Sequence, residues 1–124
     1  MQRKQFPPDE ASLADGTLEQ FRLALHLLAA PATKQLAHFA GERVVIADEL
    51  ALDFDHWALC LPGYWQLSRE QERLLASIDR LLTKMSDLHD LALWTDEALY
   101  NDPRWERGRE LAQQAMIAFG WVAG

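Results

Sequence analysis

The 124-residue chain has a single cysteine, Cys60. One thiol excludes an intrachain disulfide and any metal site built from several cysteines. It fits a reducing compartment, so the cytoplasm is the expected location. No apolar run approaches the roughly 20 residues that span a bilayer, and no membrane association is expected. The early stretch FPPDEASLADG offers no apolar h-region, so no signal peptide is expected there. Positive charge is scarce. The chain has 12 Lys and Arg against 19 Asp and Glu, for a formal net charge of -7. Such a field repels phosphate backbones, and no basic run interrupts it, which argues against a nucleic-acid partner. The P-loop, the dinucleotide fingerprint, G-x-S-x-G and H-E-x-x-H are missing, and so is any Glu-x-x-His pair of a di-metal bundle. These gaps point away from an enzyme and call for no cofactor.

What remains is an ordinary globular composition, 49% apolar and 25% charged, in a chain of single-domain length. Residues 1–14 read as an N-terminal arm, because Pro7-Pro8 blocks helices and sheet ladders. Residues 15–124 read as one helical domain. Thr17 with Gln20 forms a capping-box pattern ahead of Leu18, Phe21, Leu25 and Leu28 at helical spacing. A short helix follows over about 32–39, with Gly41 closing it. Leu50, Phe54 and Trp57 share a face of a helix over about 47–59, which ends in a Pro62-Gly63 turn.

The firmest pattern spans 68–88. Ser68 and Gln71 make a capping box, and Leu74, Ile78, Leu81, Met85 and Leu88 recur at three and four. Thr95 caps a short helical turn. Asp102-Pro103 starts the last helix, which places Trp105, Ala112, Ala115 and Phe119 inward and stops at Gly120. The expected fold class is all-α, a single irregular bundle of five or six helices. The β-branched Val44, Val45 and Ile46 leave room for a short β element near 43–47, or for an α+β fold.

The densest stretch is ADELALDFDHWALCLPGYW, residues 47–65. It carries Asp48, Glu49, Asp53, Asp55, His56, Cys60, two tryptophans and a tyrosine, with no Lys or Arg. Residues 85–103 form a second acidic block, with five acids and again no Lys or Arg. Glu49, Asp53 and His56 share a helical face at spacings of four and three, so a small enzyme or a metal-binding protein is one reading of them. Face-sharing at that spacing is automatic for any helix, and no metal is expected there. Cys60 lies four residues from His56, but between Leu59 and Leu61 it reads as a small buried hydrophobe rather than a nucleophile. The preferred reading makes Asp48, Glu49, Asp53 and Asp55 the negative rim of a protein-binding surface. Tyr64 and Trp65, exposed after the Pro-Gly turn, would be its anchors. A structural or regulatory homo-oligomer built on an apolar helical face is the third reading.

Three segments, LLAAPATKQLAHFAG, ADELALDFDHWA and LWTDEALYNDPRWERGRELAQQAMIAFGW, give the chain a further character. Across roughly 22–121 it resembles small acidic immunity proteins of bacterial toxin systems. The resemblance implies binding and occlusion of a basic protein partner, the cognate toxin, with no catalytic residue to transfer.

Overall fold

The computed structural model describes the backbone of residues 1–124 and all side chains except those of Pro8 and Asp9. The described elements are β1 (Gln2–Arg3), α1 (Pro8–Ala29), α2 (Ala32–His38), α3 (Ile46–Cys60), β2 (Trp65–Gln66), α4 (Arg69–Asp87), α5 (Asp96–Asn101) and α6 (Pro103–Ala118). Short 3-10 turns at Leu61–Gly63 and Leu91–Trp94 link α3 to β2 and α4 to α5. The fold is all-α with one small antiparallel ribbon.

The ribbon pairs Gln2 with Gln66 and Arg3 with Trp65. It therefore lies away from 43–47. Glu42 to Val45 form no helix or strand, and Val45 is the extended N-cap of α3. Their β-branched side chains favour an extended backbone, but among the described residues no strand pairs with them.

α1 begins at Pro8, well ahead of Asp15 or Thr17, so the arm is shorter than 1–14 and most of its second half is helical. Pro7 adopts an extended N-cap conformation, and a proline is tolerated in a first turn because its missing N–H is unbonded there anyway. Thr17 is a buried mid-helix residue, not a cap.

α1 is the central helix, packed on α3 along one side and on α6 along another; α6 in turn packs on α4. Phe21 sits where these helices meet, with ring centroids 6.4 Å from Phe54, 5.3 Å from Phe119 and 5.9 Å from Trp121. Leu25, Leu50, Leu74, Ile78, Trp105, Ala112 and Ala115 complete this core. Leu81 packs on it but is only partly buried. Gly120 has φ +76°, the left-handed stop that glycine tolerates, and it turns Trp121 back to stack on Phe119 at 4.7 Å.

Caps hold the helix starts. Ser68 Oγ accepts from Gln71 N at 3.1 Å, while Gln71 Oε1 accepts from Ser68 N at 2.9 Å. Thr95 Oγ1 accepts from Ala98 N, and Asp102 Oδ1 from Arg104 N. The C-terminal carbonyls of α1 are met by side chains from elsewhere. Gln35 Nε2 donates to Leu27 O and Leu28 O, Gln113 Nε2 to Ala29 O, and Arg109 Nε to Ala30 O, the C-cap residue.

Candidate functional site

α3 and α4 touch only briefly, in contrast to the long contacts of α1 with α3 and of α4 with α6. Between them lies an open groove of about 400 Å3. α3 contributes Asp48, Ala51, Leu52 and Asp55; α4 contributes Asp79, Leu82, Thr83 and Ser86; the 91–94 turn contributes Trp94. The helical period explains the α3 set. Ala51 and Leu52 lie three and four residues after Asp48 and as far before Asp55, so the four share one side of the helix. Leu50 and Phe54 face the opposite way and are buried, which fixes α3 from beneath.

The groove holds three carboxylates and no Lys, Arg or His. None of the three takes part in an ion pair among the described residues. Between them runs an apolar strip in which Leu52 is 61% exposed. The turn that carries Trp94 is well braced. Asp90 Oδ1 accepts from Ala92 N at 3.0 Å, Thr95 Oγ1 donates to Ala92 O at 2.9 Å, and Trp105 Nε1 donates to Leu93 O at 2.7 Å. Trp94 stands edge-on to Trp105 at 5.5 Å, and its indole N–H has no hydrogen-bond partner among the described residues. Asp102 grips Arg104 with both oxygens at 2.8 and 2.9 Å. That side-chain hydrogen bond holds the Asp102 carboxyl below its ordinary value, against the opposing effect of burial.

The expected rim divides in two. Asp48 and Asp55 face the groove, and Asp79 joins them from α4. Asp53 lies on the other flank of α3, in a hollow shared with Gln20, Leu27, His38 and Trp57. Glu49, one turn before Asp53, shares that flank. The four acids of 48–55 are therefore split by the helix itself.

Tyr64 and Trp65 are half-buried and held within the chain, not exposed in a free loop. Trp65 Nε1 donates to Ala14 O at 2.9 Å, and its backbone pairs with Arg3. Lys4 N donates to Tyr64 O at 2.8 Å, and Phe6 packs on the Tyr64 ring at 5.4 Å. His56 stands edge-on to Trp57 at 4.6 Å. Among the described residues no three His, Cys, Asp or Glu side chains come together to hold a metal ion. No described helix is long and apolar enough to cross a membrane.

Leu52, Asp79 and Trp94 were missed as site residues. Leu52 carried a signal, since it shares the side of Asp48 and Asp55 and lies off the core face of α3. Asp79 and Trp94 reach the groove only through the packing of α4 and the 91–94 turn. The chain matches no known protein family, no curated protein and no solved structure.

Proposed function

We propose that this chain is a protein-binding module of the immunity or inhibitor kind, acting in the cytoplasm, which neutralises a basic partner by seating part of it in the α3–α4 groove. The observation that carries the reading is the groove's composition: Asp48, Asp55 and Asp79 without a cation, around Leu52 and an indole with an unbonded N–H. Unpaired carboxylates steer a positive partner and speed encounter. A braced aromatic and an exposed leucine supply surface whose desolvation slows dissociation. Because the turn carrying Trp94 is already ordered, little further ordering opposes binding. A second copy of the chain would set these carboxylates against each other, which disfavours self-association through this face.

The test is capture of a partner from cells that express the chain together with its neighbouring gene products. The wild type is compared with the triple variant Asp48→Asn, Asp55→Asn, Asp79→Asn, after circular dichroism shows both folded. The expected result is one stoichiometric basic protein, toxic when expressed alone and silenced by the wild type. The triple variant should bind it more slowly, with a flatter salt dependence. Unchanged association by the triple variant together with unchanged dissociation by Trp94→Ala would place the interface elsewhere.

A further inference from the structure

A second hollow, of about 390 Å3, lies where α1 gives way to α2, against the outer side of α6. Its volume falls at the small end of the range for small-molecule sites. Ala30 and Pro31 at the corner, Met116 and Ile117 of α6, and Val122 beyond it make the walls apolar. The polar groups are His26, Lys34 and Gln113, and no Asp or Glu lines the hollow. Two other hollows also lack acids, but one, at Arg3 and Lys4, has little apolar wall, and in the other Arg109 is already engaged by Ala30 O and Leu99 O. Neither Lys34 nor His26 enters an ion pair among the described residues. The corner between α1 and α6 is braced. Gln113 is held by its hydrogen bond to Ala29 O, and Arg109 bridges Ala30 O at 3.1 Å and Leu99 O at 2.7 Å.

An unpaired ammonium beside an apolar hollow is complementary to an anion with a hydrocarbon tail. We propose that this hollow binds a small amphipathic monocarboxylate, an aliphatic acid of medium chain length. The ammonium of Lys34 donates to the carboxylate in a charge-assisted hydrogen bond, stronger than one to a neutral hydroxyl. The tail lies against Met116, Ile117 and Val122, where apolar surface leaves water. His26 supplies a further N–H donor in the lining. The hollow shares no lining residue with the acidic groove, so either site can fail without the other.

The probe is octanoate, titrated into the full chain and followed through backbone amide shifts. Octanol supplies the tail without the charge, and acetate the charge without the tail. Octanoate should saturate at roughly millimolar concentration or tighter, with shifts gathered at 26–34 and 113–122 and none around Asp48 and Asp55. Octanol and acetate should each bind about tenfold more weakly or worse. Lys34→Met should weaken octanoate by about tenfold and leave octanol unchanged. Ile117→Trp, which fills the hollow from a partly exposed position, should abolish binding of both. Thermal melts of both variants confirm folding, and Lys34→Gln replaces Lys34→Met if the latter melts early. Equal affinity for octanol and octanoate, an unaffected Lys34 variant, shifts that map elsewhere, or no saturation at all would each overturn the proposal.

Discussion

Trp65 and Trp94 invite comparison. Both are half-buried tryptophans in short connections of the same domain, and both pack on the core. Trp65 is fully engaged within the chain: its indole N–H goes to Ala14 O, its backbone pairs with Arg3, and the neighbouring Tyr64 ring is met by Phe6. Trp94 is braced against Trp105, yet among the described residues its N–H has no hydrogen-bond partner and the three carboxylates that its ring borders have no ion pair. A turn aromatic is available to a partner only where the fold has left its polar edge unused. Residue type and loop position do not separate the two tryptophans; their hydrogen-bond partners do.

The largest expected effect would erase the comparison. Phe54 is 1% exposed and supports α3 from beneath. Phe54→Ala should cost roughly 3 to 5 kcal/mol in chemical denaturation, as a large-to-small core change does. A loss under about 1 kcal/mol would mean that α3 does not depend on it.

The next would sharpen the comparison. Trp94→Ala should weaken partner binding by about 2 kcal/mol or more, mainly through faster dissociation, if Trp94 is a hot spot. Trp65→Phe should leave affinity unchanged and lower stability by about 1 kcal/mol for the lost hydrogen bond. The reverse pattern in dissociation rates would move the anchor back to the 64–65 corner.

Asp102 tests whether Trp94 depends on α6, which presents Trp105. Asp102→Ala removes a helix cap and should cost about 1 kcal/mol near neutral pH. The folded carboxyl is held below its ordinary value of 3.8, mainly by the Arg104 side chain. Its stabilisation is therefore present above that value and fades as pH falls through it and below. Melting temperatures of wild type and variant should converge in acid; a constant gap down to about pH 2 would deny the shift.

The smallest effect lies two residues past Ala14, the partner of Trp65. Gly16 is helical, with nothing within 4 Å of where a Cβ would stand. Gly16→Ala should stabilise the protein by about 0.5 to 1 kcal/mol and leave partner binding unchanged. A destabilised variant would show that α1 is not helical at its start.

Short-range signals in the sequence were legible. The Ser68–Gln71 box, the Thr95 and Asp102 caps and the buried face of Leu74 and Ile78 are all contained within a few residues, and the structure has them. The start of α1 was misread because Asp15-Gly16-Thr17 imitates a helix start, while Pro7-Pro8 had a second meaning as the true one. Leu81 falls on the edge of the α4 stripe, and there it faces Gly108, which has no side chain to bury it. The ribbon joins residues more than sixty positions apart, beyond any local pattern. Half of the groove, Asp48 and Asp55, was visible in the spacing of α3. The other half came from packing, and so did the fate of Tyr64 and Trp65, which depended on where the N-terminal arm lies.

The end of α1 carries a consequence for folding dynamics. In many helices the final carbonyls face water and the last turn frays independently of the rest. Here Gln113 and Arg109 reach Ala29 O and Ala30 O across 84 and 79 residues of chain. Fraying of α1 at this end must break the bonds of Gln113 and Arg109 of α6 as well, and release of Leu27 O and Leu28 O frees the Gln35 side chain of α2. The helix terminus is thus a joint between distant parts of the chain, not a free end. Amide protons in the last turn of α1 and the middle of α6, with Gln35 of α2, should exchange with deuterium together, more slowly than those of a free helix end.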